Sequence, residues 1–136
     1  MRKIALDVGD VRIGIATSDI MGIIAGGYET YVRKDYETDL RYIADFVKNN
    51  QGDTLVLGLP VNMDGTEGPR ALGVRQMAED LKRFTDVKMV FQDERLTTVS
   101  AEKMLIQGNV RRDKRKKVVD KVAATIILQS YLDRKF

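Results

Sequence analysis

The amino-acid sequence predicts an α/β fold with a mixed five-stranded sheet and helices packed on both of its faces. Two features support this prediction. Strand-like segments joined by short turns fill the first 32 residues, and helical and extended patterns then alternate along the chain. Strands joined by hairpins pair antiparallel, whereas strands separated by a helix pair parallel, so the sheet is expected to contain both kinds of pair.

The N-terminal region is expected to form an antiparallel meander. Residues 4–8 are strand-like, Gly9-Asp10 is a turn signal, and residues 12–18 have the pattern of a second strand. A third strand is expected within residues 23–32, although the glycine pair at 26–27 weakens its pattern.

The pattern then changes to a helical period. Apolar residues recur at helical spacing over residues 35–50, and residues 54–59 form a continuous apolar run typical of a buried strand. Pro69 is well placed to begin the next helix, and residues 87–92 predict a fifth strand.

Two more helices are expected near the C-terminus. The first covers about residues 98–107 and ends at Gly108, and the second presents Val119, Ala123 and Ile126 on one side. The expected order is therefore β-β-β-α-β-α-β-α-α. A chain of 136 residues fits a single domain, which we expect to span residues 1–136.

Missing residue types exclude several kinds of chemistry. The chain has no cysteine, which excludes disulfides, thiolate metal sites and a cysteine nucleophile. It also has no histidine, which excludes histidine acid–base catalysis and imidazole metal ligands. The first residues do not resemble a signal peptide, and no apolar run is long enough for a transmembrane helix. We therefore expect a cytoplasmic protein.

Positive charge is concentrated near the C-terminus. Residues 111–136 carry 9 Lys/Arg and 3 Asp/Glu, whereas residues 1–110 carry 14 and 17. Most of the excess lies in residues 111–117, which we call the basic run. Such a run indicates contact with a polyanion, because neutralised phosphates release counterions. A mobile, solubilising loop is the alternative.

Three acidic residues stand out, and each also has a purely structural explanation. Asp7 interrupts an apolar strand, where an unpaired carboxylate is costly, although it could simply begin the turn. Glu94 follows the fifth strand, where ligands often bind in α/β sheets, but a solvated loop has similar charges. Asp120 flanks the apolar stripe of the last helix, and the helix dipole near its N-terminus offers an alternative reason for the charge.

Together the three carboxylates predict a metal site. Without histidine, such oxygen ligands suit hard divalent cations, Mg²⁺ or Mn²⁺. Two such ions about 4 Å apart can hold an attacking water and stabilise the leaving oxygen of a phosphodiester. The element order allows the first strand, a neighbouring strand end and a late helix to meet at one sheet edge. We therefore predict Asp7, Glu94 and Asp120 as catalytic residues and as ligands of two ions.

Four motifs in order resemble the YqgF/RuvX family, and they cover nearly the whole chain. They lie at residues 7–14, 58–65, 93–98 and 120–129. Members of this family are similar to Holliday junction resolvases and are regarded as nucleases of pre-16S rRNA 5′-end processing. The resemblance implies a ribonuclease-H-like fold and a phosphodiester hydrolase of ribosome biogenesis, with nucleic acid and ribosomal particles as partners.

The resemblance also implies roles for single residues. The family's acidic positions fall on Asp7, Glu94 and Asp120. In the better-known resolvases of this fold an acidic residue follows the fourth strand, whereas residues 58–60 here contain none, so junction cleavage is kept as an alternative to rRNA processing. The basic run is expected to be a flexible segment that contacts phosphates ahead of Asp120. The expected nucleic-acid contacts are Arg95, Arg111, Arg112, Lys114, Arg115, Lys116 and Lys117.

The loop after the fourth strand has two explanations. Asn62, Asp64 and Gly65 belong to a motif of the resembling family and could reach over the site. Ordinary turn chemistry explains the same residues equally well.

Two other functions compete with a nuclease. The Asp-x-Gly start also resembles the phosphate-binding turn of actin-like and sugar kinases, but those proteins need two lobes and this chain has length for one. A non-catalytic nucleic-acid-binding module would use the basic run and keep the carboxylates as caps or ion pairs. Metal-dependent strand cleavage would fit only the nuclease, and ATP turnover only the kinase-like alternative.

Overall fold

The computed structural model describes residues 1–93 and 112–134, with all side chains there except those of Tyr28, residues 112–121 and Arg134. The elements in this part are β1 (Arg2–Val8), β2 (Arg12–Ser18), β3 (Ala25–Val32), α1 (Tyr36–Asn49), β4 (Gly52–Leu59), α2 (Pro69–Leu81), β5 (Lys88–Asp93) and α3 (Arg112–Arg134). The helix predicted over residues 98–107 lies outside the described residues. Within them, no helix is both long and apolar enough to cross a membrane.

The five strands form one mixed sheet in the order β3-β2-β1-β4-β5. β1 pairs antiparallel with β2, and β2 with β3, while β1–β4 and β4–β5 are parallel pairs. The predicted mixed sheet is therefore confirmed. Because β1, β4 and β5 run in the same direction, their carboxyl ends at Val8, Leu59 and Asp93 lie along one edge of the sheet, here called the carboxyl edge.

Helices cover both faces of the sheet, as predicted. On one face α1 and α2 pack over a large apolar cluster that includes Ile4 and Leu6 of β1 and Leu57 of β4. On the other face, here called the α3 face, α3 packs over small residues of three strands. This second cluster consists of Ala5, Ala16, Val56, Ala124, Ile127, Leu128 and Leu132.

Local sequence signals account for the helix starts on the first face. Asp35 is the N-cap of α1, and its carboxylate accepts a hydrogen bond of 2.8 Å from the backbone N–H of Thr38. Pro69 occupies the first position of α2, where a missing N–H costs nothing.

The expectation that the basic run is flexible is wrong for its described part. α3 begins at Arg112, so residues 112–117 form the first turns of a helix rather than a loop. Lysine and arginine have helix propensities close to that of alanine, and helix formation is cooperative. The packed C-terminal half of α3 can therefore extend the helix back through these residues.

Candidate active site

Asp7 lies near the end of the central strand and on the α3 face. Side chains alternate along a strand, and Leu6 and Val8 contact the cluster under α1 and α2, whereas Ala5 packs under α3. Asp7 therefore shares the α3 face with Ala5. The predicted strand position of this carboxylate is confirmed.

Glycines flank Asp7 on both neighbouring strands. Gly14 of β2 is its register partner, and the last parallel pair between β1 and β4, Leu6 with Leu57, places Asp7 next to Gly58. Glycine has no side chain, so neither neighbour covers the Asp7 carboxylate from the side. The two strands beside Asp7 therefore contribute no side chain to its row on the α3 face.

The same row across the sheet continues to Gln92 of β5. Gly58 pairs with Gln92. The side chains of Phe91, its neighbour in the chain, and of Met89, one period earlier in the strand, belong to the opposite face. Among the side chains that the structure describes, the Oε1 atom of Gln92 is the buried oxygen that accepts no hydrogen bond. Buried polar atoms nearly always have a partner, so this oxygen is an exception that needs an explanation.

A charged network braces the turn that follows Asp7. The Gly9 N–H donates to the Arg12 carbonyl at 2.9 Å, and the Arg33 N–H donates to the Val11 carbonyl at 2.9 Å. The Arg33 guanidinium donates from Nη1 to the Gly9 carbonyl and from Nε to the Asp39 carboxylate, both at 2.9 Å. The turn after β1 is thus fixed by both the backbone and the side chain of Arg33, which directly follows β3.

Asp39 holds the centre of this network and is only 1% exposed. Besides Arg33, it accepts hydrogen bonds of 2.9 Å from the Tyr31 hydroxyl and from the Lys34 N–H. Burial, and next the hydrogen bond to Asp39, raise the pKa of Tyr31 to about 12. A buried carboxylate is tolerated because each of its oxygens is paired.

A cleft of about 330 Å³ opens at the carboxyl edge on the face covered by α1 and α2. Two of its lining side chains are cations, but both are paired: Arg33 with Asp39 and Arg70 with Asp10 at 2.8 Å. This cleft is on the opposite face of the sheet from Asp7. The two cations of this cleft are therefore engaged within the fold.

The loop after β4 is organised by its own residues. The Asp64 carboxylate accepts hydrogen bonds from the N–H and hydroxyl of Thr66, and the Asn62 N–H donates to the Thr66 carbonyl. Gly65 has a φ of +90°, which favours glycine. The described contacts of Asn62, Asp64 and Gly65 are those of an ordinary turn, which agrees with the second explanation that the sequence offered for this loop.

The other predicted site residues are only partly described. Glu94, Arg95 and Arg111 lie outside the described residues, and Glu94 directly follows Asp93, the last residue of β5. For Asp120, Arg112, Lys114, Arg115, Lys116 and Lys117 only the helical backbone is described.

The backbone position of Asp120 corrects one expectation. Asp120 was expected near a helix N-terminus, but it is the ninth residue of α3. The effect of the helix dipole falls off within the first turn, so it does not explain an acidic residue at this position. The sequence-based alternative for Asp120 therefore loses its support.

The residues of this region suit a hard divalent cation by their chemistry. The Asp7 carboxylate is an oxygen ligand of the kind that Mg²⁺ and Mn²⁺ accept. The buried Gln92 amide oxygen is an acceptor for a hydrogen bond from a water that hydrates such an ion. Among the side chains of the described residues, no group of three or more acidic residues lies close enough together to hold an ion. The side chains of Glu94 and Asp120 are not among those that the structure describes.

Sequence reasoning missed Gln92, Arg33 and Asp39. Asp39 stands in the first turn of α1, where an acidic residue has a local explanation in the helix dipole. Gln92 occupies a polar position near the end of a strand, which gives no signal of burial. The available signal for the Arg33–Asp39 ion pair was that these two residues of opposite charge lie six positions apart, on either side of a predicted helix start.

Solved structures show the same fold at low sequence identity. The fowlpox virus Holliday junction resolvase aligns with a TM-score of 0.60 at 14% identity, covering 98% of this chain and 99% of that chain. RuvC from Thermus thermophilus, in complex with a Holliday junction substrate, aligns with a TM-score of 0.57 at 12% identity, covering 99% and 95%. The ribonuclease-H-like fold predicted from the sequence is confirmed.

Curated relatives are much more similar in sequence. A protein of Carboxydothermus hydrogenoformans named "Putative pre-16S rRNA nuclease" is 48% identical over 135 residues, which are 99% of this chain and 98% of the relative. A protein of Halalkalibacterium halodurans with the same name is 49% identical over 136 residues, covering 98% and 97%. The profile of the RuvX family, described as Holliday junction resolvase, matches residues 1–134. The chain belongs to the RuvX family.

Proposed function

We propose that this chain is a divalent-metal-dependent nuclease that hydrolyses phosphodiesters of nucleic acid, with pre-16S rRNA as its substrate. The position of Asp7 carries the proposal: an acidic residue on the central strand, at the carboxyl edge, between two glycines and facing α3. The names of the relatives support the substrate, and ribosomal particles are the corresponding partner. A cytoplasmic location follows from this role.

The direction of α3 supports Asp120 as a partner of Asp7. Gln129 in the second half of α3 bonds to the Ala25 N–H and the Ile23 carbonyl, at the start of β3. Ala25 pairs with Ser18, and β1 begins beside that end of β2. The C-terminal half of α3 therefore lies at the edge opposite Asp7, and the first half of α3 runs towards the carboxyl edge.

Distances along the two elements also agree. Ala5 and Ala124 belong to one cluster, and Asp7 lies two strand residues beyond Ala5, about 6.6 Å at ~3.3 Å per residue. Asp120 lies four helical residues before Ala124, about 6 Å at ~1.5 Å per residue. The backbones of Asp7 and Asp120 are thus at similar heights on the α3 face.

We propose Glu94 as the third ligand, because it follows the last residue of a strand that ends at the same edge. The cofactor in this proposal is Mg²⁺ or Mn²⁺, as two ions. When bound, such ions activate water and stabilise the leaving oxygen of a phosphodiester. The part played by the chain is to hold the carboxylates at fixed positions, and for Asp7 the braced turn at residues 9–12 supplies that rigidity.

The basic residues are proposed to bind the phosphate backbone on both sides of the cleaved bond. Arg112, Lys114, Arg115, Lys116 and Lys117 occupy the first turns of α3, the half of the helix that runs towards the carboxyl edge. Arg95 and Arg111 extend this set along the chain. Cations held on a helix keep their spacing, which favours repeated contact with regularly spaced phosphates.

A Holliday junction is the second candidate substrate. The family description and the fold shared with two junction resolvases favour it. The absence of an acid at residues 58–60 counts against a resolvase-like arrangement of ligands.

Cleavage of end-labelled substrates tests the proposal. The substrates are a precursor 16S rRNA leader, a matched single-stranded DNA and a four-way junction, each with Mg²⁺, Mn²⁺ or EDTA. We expect metal-dependent cutting of the leader by the wild type and none by Asp7→Asn. Cutting of the junction alone would support the second candidate, and tight binding without any cutting would support a binding module.

A further inference from the structure

Gln92 has the environment of a ligand-binding residue. Its Oε1 atom is buried and accepts no hydrogen bond from the side chains and backbone that the structure describes. An unmade hydrogen bond at a buried acceptor disfavours the folded state, so such atoms occur where a water or ligand completes them. Gln92 therefore presents a hydrogen-bond acceptor to which no described residue donates.

The sheet register brings Gln92 to the site of Asp7. Gly58 of β4 pairs with Gln92 of β5 and lies next to Asp7 of β1. The side chains of Gln92 and Asp7 therefore lie on one face of the sheet, two strands apart. Neighbouring strands are ~4.8 Å apart, which separates the two Cα atoms by about 10 Å. Gly58 between them contributes no side chain, so the long Gln92 amide can extend over it towards Asp7.

The ligand must supply a hydrogen-bond donor, because an amide oxygen only accepts. Phosphate oxygens are acceptors and cannot fill this role. The donors that accompany a phosphodiester and a divalent cation are O–H groups: a water that hydrates the cation, or the 2′-hydroxyl of a ribose. Both groups are present in the loaded site.

We infer that Gln92 is a further binding residue of the Asp7 site, and that its amide oxygen accepts a hydrogen bond from an O–H group of the loaded site. This inference rests on the proposed function, since it takes Asp7 as a cation ligand. It adds a neutral acceptor on β5 to a site otherwise built from carboxylates. It also gives the glycine at position 58 a role, because a side chain there would separate Gln92 from Asp7.

The test compares Gln92→Met, which keeps the length and removes the acceptor, with Gln76→Met as a matched control. Gln76 lies on α2, on the other face of the sheet, where its amide makes an exposed bond to Asp80. Three quantities are measured for each protein: the Mn²⁺ dissociation constant without nucleic acid by electron paramagnetic resonance, the ratio of RNA to matched DNA affinity, and the melting temperature.

The two sources of the O–H group give different results. If it belongs to a cation-bound water, Gln92→Met weakens Mn²⁺ binding by about five- to tenfold, the worth of one hydrogen bond. If it belongs to a ribose, Mn²⁺ binding is kept and the RNA-to-DNA ratio falls by a similar factor. In both cases the melting temperature of the free protein is unchanged or higher, because the variant removes an unpaired buried oxygen.

Unchanged Mn²⁺ affinity and an unchanged RNA-to-DNA ratio in a folded Gln92→Met would overturn the inference and leave the nuclease standing. A lower melting temperature with neither ligand effect would also overturn it, because Gln92 would then be structural. If the wild type neither binds Mn²⁺ nor cleaves, the proposed function fails and this inference fails with it.

Discussion

The Arg33 guanidinium joins the turn after the central strand to a buried carboxylate. Its Nη1 donates to the Gly9 carbonyl and its Nε to Asp39, each at 2.9 Å. Asp39 is 1% exposed and the Arg33 side chain 20%, so this ion pair is largely removed from water. Gly9 is two residues from Asp7, so the rigidity of the proposed site depends on Arg33, although Arg33 itself contacts no ligand in our proposal.

Replacing Arg33 by glutamine should destabilise the protein strongly. The change leaves Asp39 buried without its cation and removes the support of the Gly9 carbonyl. Breaking a buried pair by removing one partner costs about 3–5 kcal/mol, and the partial exposure of Arg33 lowers our expectation to about 2–3 kcal/mol. Urea unfolding monitored by circular dichroism measures this loss.

Arg83→Gln is the matched control. Arg83 pairs with Glu37 at 2.9 Å, but both side chains are about half exposed. Exposed pairs contribute about 0–1 kcal/mol, so this variant should unfold close to the wild type. Equal losses in the two variants would mean that burial of the Arg33–Asp39 pair has no special importance.

A side chain at Gly9 should distort the same turn. A Cβ atom there would lie 2.8 Å from the Arg12 carbonyl oxygen, a backbone atom that cannot move aside cheaply. We expect Gly9→Ala to cost about 1–3 kcal/mol, as strained or overpacked substitutions do. Gly73→Ala in α2 is the control, since a Cβ there meets nothing within 4 Å and alanine favours a helix. Thermal unfolding should therefore rank Gly73→Ala at or above the wild type and Gly9→Ala below it.

The raised pKa of Tyr31 predicts a loss of stability in strong alkali. Burial and the hydrogen bond to Asp39 raise this pKa from 10.0 to about 12. The folded state thus binds the proton more tightly than the unfolded chain does. The contribution of protonated Tyr31 to the free energy of unfolding is complete below pH 10 and is lost as the pH rises towards 12.

Tyr31→Phe separates this effect from general alkaline unfolding. Tyr36 also has a pKa raised to about 12, by burial and then by its hydrogen bond to Asp80, so Tyr31 and Tyr36 should both titrate late in the wild type. Absorbance at 295 nm should show one fewer late-titrating tyrosine in the variant. A wild type in which all tyrosines titrate near pH 10 would contradict the described environment.

The sequence predicted the fold well where the signals were local. The turn at Gly9-Asp10, the cap at Asp35 and Pro69 at the start of α2 each act within a few residues, and each element lies where these signals indicated. The mixed sheet also followed from connection lengths. The basic run was mispredicted because its charge indicated a loop, whereas helix propensity and packing of the second half of α3 decide its backbone.

The candidate site was predicted only in part, since its environment depends on long-range pairing. Asp7 could be singled out because a carboxylate in an apolar strand is unusual. Nothing in the local sequence shows that the Oε1 atom of Gln92 is buried, because the row that Gln92 shares with Gly58 and Asp7 is formed by strands β1, β4 and β5 of the folded sheet. Asp39 likewise resembles any acidic residue in a first helical turn until β3 brings Tyr31 and Arg33 against it.

Asp7→Asn should remove cleavage and keep nucleic-acid binding. The amide occupies nearly the same volume but lacks the charge that a divalent cation requires. Loss of even an indirect ligand contact commonly costs 10–100-fold, so we expect more than about a 100-fold loss of cleavage for a direct ligand. Gel-shift and cleavage assays on one preparation measure both properties. Full activity of the variant would remove Asp7 from the mechanism.

Neutralising the first turns of α3 should weaken binding in a salt-dependent manner. Each phosphate contact contributes about 0.7–0.9 to the slope of log K against log salt. Replacing Arg112, Lys114, Arg115 and Lys116 by glutamine, which also favours a helix, should therefore lower that slope by up to about 3.6. Fluorescence anisotropy between low and moderate salt gives the slope, and circular dichroism checks that the helix is kept. A matched set of substitutions at Arg41, Lys48, Arg75 and Lys82, on helices α1 and α2 and the start of the following turn, controls for net charge. If both sets reduce the slope equally, the basic run acts only through overall charge and forms no specific phosphate-binding surface.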